Sequence, residues 1–410
     1  MLRENTAALS LFDVLRPENL RDPYPFYRRL READPVYWDA ERGTWVLTRH
    51  ADVVAALRDP RLSAERVLPG QEPATGAEIA PDESPIARAM AKQMLFLDPP
   101  DHTRLRGLVS KAFTPRVIEG MRPQIQALVD ELLDAAAARG HMDLIADFSF
   151  PFPAIVIAGL LGVPPEDRDQ FKEWSEAFGM LLDPGVHAPE EIEAAQAGVF
   201  ALVAYLLEIV EARRQEPRDD LISLLIAAEE QGDKLDTEEL LINCVLLLAA
   251  GHGATTHMIG NGVLALLRYP DQLERLRAEP ALIRGAVDEL LRYDGPVQVT
   301  GRMANQDLEI GGKRITKGQH VTTALGAANH DPAQFAHPER LDLGRQDKGH
   351  VAFAHGIHFC LGAALARLEG QIVIGALVRR FPALRLETDE PEWMPSVVFR
   401  GLIALPVALQ

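Results

Sequence analysis

Phe353-Ala-His355-Gly356-Ile-His358-Phe-Cys360-Leu-Gly362 runs directly into the helical pattern Ala363-Ala-Leu-Ala-Arg-Leu-Glu369. A cysteine in a glycine-flanked loop just ahead of a helix meets the positive end of the helix dipole and its free N–H groups. Both favour thiolate over thiol. Gly356 and Gly362 allow the backbone to approach a flat ligand closely. A lone thiolate held in this way suits haem iron, where the sulfur pushes electron density onto the metal and promotes O–O cleavage. Two other readings of the same residues stay open. One is a buried structural thiol beside two loop histidines; the other is a zinc site of His355, His358 and Cys360, which lacks a nearby fourth ligand.

The chain around this loop has 410 residues, of which 47% are hydrophobic and 25% charged. That composition supports a large core and argues against disorder. A net charge of −18 makes non-specific binding to nucleic acid or to an anionic membrane unfavourable, since both require cations on the protein. Two cysteines, Cys244 and Cys360, exclude a disulfide framework and a four-cysteine zinc site, and they fit a reduced, cytoplasmic setting. Cys244, among Ile242, Val245 and Leu246, reads as a core residue. The N-terminus is charged at once and lacks the apolar core of a signal peptide. The longest uncharged stretch, Phe148 to Pro165, carries Pro151, Pro153, Pro164 and Pro165, so no continuous membrane helix is expected there.

Helical periodicity dominates. Helices are expected over Pro23–Ala33, Asp52–Arg58, Asp101–Ala112, Pro115–Ala138, Pro165–Leu182, Pro189–Arg214, Asp219–Gln231, Pro270–Ala278, Ala281–Tyr293 and Gly362–Phe381. The longest pattern, Asp236 to Arg268, would span on the order of 50 Å, and Asp236 with Glu239 forms its N-terminal signature. Hairpins are expected at Pro35–Trp38 with Thr44–Thr48, and at Leu308–Ile310 with Arg314–Ile315; Val321–Leu325 is a further strand. From Asp59 to Pro100 the periodicity is weak, which marks a functional or mobile segment.

Several motif matches fail on context. Gly260-Asn-Gly262-Val-Leu-Ala265 has the letters of a dinucleotide fingerprint but sits inside a helix with no strand before it. Gly311-Gly312-Lys313 is followed by Arg314 and lacks the first glycine of a P-loop. His252 and His257 are five residues apart, where a metalloprotease helix needs four. No Gly-x-Ser-x-Gly occurs.

The pattern Phe-x-x-Gly-x-His-x-Cys-x-Gly resembles the haem-binding signature of the cytochrome P450 superfamily, and further motifs follow in that family's order. Glu289-Leu-Leu-Arg292 resembles its Glu-x-x-Arg helix, and Pro338-Glu-Arg340 the segment whose arginine completes a Glu–Arg–Arg network. Asp101-His102-Thr-Arg-Leu-Arg106 is similar to the pair that meets the haem propionates, and Gly301-Arg302 to a second propionate-binding arginine.

The resemblance covers essentially the whole chain. It implies a mainly α fold, a triangular helical prism with small β-sheets, over residues 1–410 as a single domain. It also implies haem b with Cys360 as axial ligand and catalytic thiolate. His102, Arg106, Arg302 and His358 would bind the propionates, with Phe353, Gly356 and Gly251 against the cofactor. Glu289, Arg292 and Arg340 would form the structural ion network.

In the family the long helix carries Ala-Gly-x-(Asp/Glu)-Thr, whose acid and threonine deliver protons to the activated oxygen. Here the ungapped register from Ala250-Gly251-His252 puts Gly253 and Ala254 at those positions, followed by Thr255. The relay then falls to Thr255, Thr256 or water, or to a substrate hydroxyl as in macrolide-oxidising relatives with Ala there; peroxide as oxidant is a third reading. Two glycines in mid-helix cost about 1 kcal/mol each, which suits a local groove.

The activity implied is insertion of one oxygen atom from O2 into a lipophilic small molecule, a polyketide or macrolide, terpenoid or fatty compound. The pocket would draw on Leu95, Phe96, Ala250, Ala254, Val297, Val299 and Phe399. Electrons would come from NAD(P)H through a ferredoxin reductase and a ferredoxin docked near Arg104, Lys111 and Arg116, on a chain that is monomeric and cytoplasmic and binds no nucleic acid or membrane. A haem peroxygenase and a non-catalytic haem-binding homologue are the alternatives.

Overall fold

A computed structural model describes residues 10–65, 91–167, 188–230 and 236–410, with residues 170, 173, 174, 177 and 180 between them. Residues 66–90 of the weakly periodic stretch, and most of the helix expected over Pro165–Leu182, lie outside the described residues.

The described helices of nine residues or more are α1 (Tyr24–Ala33), α2 (His50–Arg58), α3 (Asp101–Val109), α4 (Arg122–Arg139), α5 (Pro151–Leu161), α6 (Pro189–Gln215), α7 (Leu221–Glu230), α8 (Thr237–Arg268), α9 (Pro270–Ala278), α10 (Ile283–Asp294) and α11 (Ala363–Arg380). Helix α8 is their axis. Asp236 accepts the N–H of Glu239 at 2.7 Å and donates its own N–H to the Glu239 carboxylate at 3.2 Å, a complete capping box. Residues Leu240–Leu248 and Thr255–Leu266 are buried, so α8 runs through the core rather than along one face of it. It packs against α5, α6, α10 and α11.

Beside the helices lies a five-stranded sheet in the order β1 (Val36–Asp39), β2 (Thr44–Leu47), β8 (His320–Ala324), β5 (Val299–Ala304) and β3 (Leu62–Ser63). The β1–β2 hairpin forms as expected, with Trp38 opposite Trp45, and β2 pairs with β8 in parallel. Strand β5 carries no clear alternation in the sequence; it forms because it pairs with β8, Arg302 opposite Val321. The expected Gly-Gly hairpin is β6 (Leu308–Ile310) with β7 (Lys313–Ile315), and β4 (His141–Asp143), β10 (Pro406–Ala408) and β9 (Arg385–Leu386) make a third sheet.

Two sequence expectations need correction. The helix expected over Pro115–Ala138 is broken at Met121 into Pro115–Gly120 and α4. The proline-rich stretch from Phe148 is helical after all: a π-helical turn, Leu144–Ser149, leads into α5. Pro151 and Pro153 fall in its first turn, where a missing N–H breaks no helical bond. Leu144–Leu161, Pro189–Gln215 and Thr237–Arg268 are long and apolar enough to cross a membrane by length and composition. The first and third of these are mostly buried against the rest of the protein.

Helix α10 holds Glu289, whose carboxylate is the centre of a buried ion cluster. Arg292 donates to it through Nε at 2.7 Å and Nη2 at 2.8 Å. The second arginine is Arg345, whose Nε lies 3.0 Å from both carboxylate oxygens. Arg340, assigned that role from the sequence, has an exposed side chain and contributes only its carbonyl, which accepts from Arg292 and Arg345. The geometric reason is that residues Pro338–Asp342 turn around the two guanidinium groups, presenting carbonyls inward. Arg292 also donates to the carbonyls of Asn329 and Pro338, and Arg345 to that of Ala336, so few donors are left unmatched.

Removing one member of a buried, fully matched cluster strands the others. Arg345→Met is therefore expected to cost about 3 kcal/mol or more, while Arg340→Ala costs no more than about 0.5 kcal/mol. Urea denaturation of the two variants against the wild type checks the reassignment.

Candidate active site

The loop ahead of α11 is closed by one backbone bond, from the N–H of Cys360 to the carbonyl of Phe353 at 2.9 Å. Gly356 takes φ = 73°, and a Cβ there would lie 2.2 Å from the carbonyl oxygen of Leu57. Its smallness thus serves a turn pressed against the end of α2. Cys360 is solvent-accessible, yet protein encloses it closely. That enclosure raises its thiol above the usual range, against the N–H groups of Gly362 and Ala363 and the charges of Arg106 and Arg367, which favour thiolate. A metal bound to the sulfur would tip this balance to the thiolate. Cys244, by contrast, is fully buried, with its thiol pushed up to about 12 by burial.

The zinc reading fails on geometry. His355 turns away to Arg58, with N···N distances of 3.3 and 3.1 Å, while the His358 ring packs on His102 with centroids 4.1 Å apart. Among the described residues no group of three His, Cys, Asp or Glu side chains is arranged to hold a metal ion.

His102, Arg106, Arg302 and His358 are instead gathered together, the two histidine rings in contact and both arginines charged neighbours of His102. Nε2 of His102 is buried with no hydrogen-bond partner. Arg302, on β5, is buried, and its Nη1 donates to the carbonyl of Gly301 at 2.7 Å. Arg106 donates to the carbonyl of Phe359. Burial lowers Arg106, and lowers Arg302 to about 10; burial and then the charge of Arg106 lower His102. A buried Arg302 and a half-buried Arg106, neither hydrogen-bonded to a carboxylate among the described residues, fit an anionic ligand with two acid groups beside the orphaned Nε2 of His102. The two propionates of haem meet that description.

On α8 the burial is interrupted only around Ala249–Ala254. Ala250 is exposed, while Gly251, Gly253 and Ala254 are half-buried. A Cβ on Gly253 would meet nothing within 4 Å, whereas one on Gly251 would lie 3.2 Å from Ile157. Gly251, expected against the cofactor, is therefore small because α5 packs on it; Gly253 borders open space. His252 anchors this turn through Nε2, 2.9 Å from the carbonyl of Phe150. Thr255 is buried and donates its hydroxyl to the carboxyl of Glu369 on α11 at 3.4 Å, and Thr256 returns its hydroxyl to the carbonyl of His252 at 3.1 Å. Burial raises Glu369 to about 8, against the hydrogen bond from Thr255.

Of the expected pocket residues, Val297 and Phe399 are brought together as a β-bridge, and both are half-buried. Leu95 is half-buried too, and the Met94 N–H bonds Asn243 at 3.0 Å, which ties that segment to α8 two turns before Ala250. Phe96 and Val299 are buried in the hydrophobic core, and so support the site rather than open onto it. Arg104 is also corrected: its guanidinium pairs with Glu239, whereas Lys111 and Arg116 are exposed. Sequence reasoning missed Glu369 and Arg345. The signal for Glu369 was an acidic residue in the apolar pattern of α11.

The family model for cytochrome P450 matches residues 63–402. The chain is 43% identical to "Cytochrome P450 CYP107DY1" of Priestia megaterium over 406 residues, 96% of this chain and 98% of that one. It is 40% identical to "6-deoxyerythronolide B hydroxylase" of Saccharopolyspora erythraea over 395 residues, 95% of this chain and 96% of that one. Among solved structures it is similar, at a TM-score of 0.88 and 38% identity, to P450BioI in complex with a hexadec-9Z-enoic acid ligated acyl carrier protein, covering 96% of this chain and 99% of that one. With its cysteine loop, its Glu-x-x-Arg helix and its helical prism, the chain belongs to the cytochrome P450 family and is a haem-thiolate monooxygenase.

Proposed function

We propose that the protein hydroxylates or epoxidises a bulky lipophilic small molecule of the polyketide or macrolide, terpenoid or fatty class. The observation that carries this reading is the bared stretch of α8, where Ala250, Gly253 and Ala254 leave room beside an otherwise buried helix. Relatives described as a 6-deoxyerythronolide B hydroxylase and as a partner of an acyl-loaded carrier protein support the size and apolarity of the substrate. We assign the electrons to a ferredoxin with its NAD(P)H-dependent reductase, docked through Lys111 and Arg116 just beyond α3. The chain acts as one domain and as a monomer, in the cytoplasm, with its two cysteines free.

Haem supplies the activation of molecular oxygen, one atom of which enters the substrate while the other leaves as water. Cys360 would be its thiolate, and His102, Arg106, Arg302 and His358 would hold its propionates. Gly253 and Ala254 offer neither acid nor hydroxyl, so proton supply falls to the next residue. Glu369 is held protonated near neutral pH by burial, and its carboxyl hydrogen-bonds the Thr255 hydroxyl. When Thr255 gives up its hydroxyl proton, the Glu369 carboxyl replaces it at Oγ1 and is itself reprotonated by water, which is the role of a general acid acting through a relay. Val297 and Phe399 bound the substrate on the side of β5.

The class of substrate is tested by a spectroscopic binding screen of macrolactones, terpenoids and fatty acids, followed by turnover with a ferredoxin, its reductase and NADPH. A product heavier by one oxygen atom from a bulky apolar member is expected; turnover confined to small polar compounds would reject the reading. Cys360→Ser should abolish the reduced carbon monoxide band that gives the family its name. Arg106→Ala and Arg302→Ala should each weaken haem binding by about 1.5–3 kcal/mol, read by haem transfer to apomyoglobin.

The relay predicts that Thr255→Ala or Glu369→Gln lowers product formed per NADPH consumed, with general-acid assistance worth about 10²–10⁴-fold. Glu369 also gives a pH signature. Its folded pKa lies above the unfolded value, so the folded state binds more protons, and stability falls as pH rises from about 4.5 to about 8. Thermal melts across that range should show this slope in the wild type and a flatter one in Glu369→Gln.

A further inference from the structure

Behind the cysteine loop, α10 and α11 place one carboxylate and one guanidinium that neither the ion cluster at Glu289 nor the propionate set uses. Arg367 lies one turn into α11, and its guanidinium carbon stands 4.5 Å from the ring centroid of Phe353. Phe353 is the residue whose carbonyl accepts the N–H of Cys360. Nε of Arg367 donates to Oδ1 of Asp288 at 2.7 Å, and Nη1 reaches the carbonyl of Ala363 at 3.5 Å. The same Asp288 oxygen lies 3.2 Å from Nε2 of His350, whose Nδ1 accepts the N–H of Ala352 at 3.3 Å. That backbone bond leaves the imidazole proton on Nε2, pointing at Asp288.

We propose that Asp288 is a positioning residue which holds Arg367 over Phe353 and partly cancels its charge, so that the pair sets the ease with which the thiolate-bound haem accepts an electron. The proposal rests on the haem-thiolate reading of Cys360. Two cations flank the loop that holds the sulfur. Arg106, on α3, is bonded to the carbonyl of Phe359. Arg367, on α11, stands over the ring of Phe353 and has its carboxylate partner in Asp288. Burial alone would raise Asp288; the hydrogen bonds and charges of His350 and Arg367 overcome it and hold the carboxyl below its usual range. A one-electron reduction adds negative charge beside these groups, so the reduced form gains from every uncancelled positive charge nearby and loses from every uncancelled negative one. The side chains of Arg367 and Asp288 are about a third exposed, at 32% and 34%, so water screens the pair in part without abolishing its field.

The test is a potentiometric titration of the purified holoenzyme and its variants, with the reduced carbon monoxide spectrum recorded on each. Asp288→Asn frees the charge of Arg367 and should favour the ferrous form about tenfold at fixed potential, a rise of about 59 mV for a one-electron couple. Arg367→Gln leaves Asp288 uncancelled and should shift the ratio about tenfold the other way. The double variant should return to within about threefold of the wild type, and Arg367→Lys, which keeps the charge, should stay near it. Shifts of the same sign in both single variants, shifts below about twofold, or loss of the thiolate band in both would overturn the proposal by leaving the pair a purely structural role. Absence of the thiolate band in the wild type would instead reject the axial role of Cys360, on which the proposal stands.

Discussion

One carboxylate carries the cysteine side of the molecule. Glu289 accepts two arginines, and between them those arginines collect the carbonyls of Asn329, Ala336, His337, Pro338 and Arg340. An irregular segment with no ladder of its own is thereby given its hydrogen-bond partners by side chains, as buried backbone requires. Its continuation is equally tied, since Oδ1 of Asn329 accepts the N–H of Val351 at 2.8 Å, two residues before Phe353. The ion cluster on α10 thus fixes the segment that leads into the cysteine loop.

The same economy holds on the other side. A helix buried along most of its length has no free face, so a cavity beside it exists only where small residues interrupt the packing. Ala250, Gly253 and Ala254 are that interruption, and Gly251 shows the converse, small because Ile157 is pressed against it. Helical continuity through this stretch costs stability, which the capping box and the tight packing on both sides offset.

What was legible in the sequence was local. The cysteine loop, the Glu289–Arg292 pair three residues apart on one helix face, the capping box and both hairpins depend on spacing within a few residues, and spacing survives in a bare sequence. Arg345 was not legible, because Arg340 and Arg345 sit in a segment with no period, and only the path of the chain decides which side chain turns inward. Helix α5 was missed because prolines were weighed as breakers without knowing that they stand in a first turn. Strand β5 needed its partner β8 to exist. Glu369 lay in plain view as a charge among apolar neighbours, but its meaning depends on Thr255, more than a hundred residues away in the chain.

Arg104, unsuited to docking, has another consequence. Its bond to Glu239 joins α3 to the first turn of α8, and the pairing of Lys92 with Glu238 and of Met94 with Asn243 fastens the preceding segment to the same turns. The helix that bears His102 and Arg106 is in this way fastened to the start of α8. The positions of α3 and of the first turns of α8 are therefore not independent of one another.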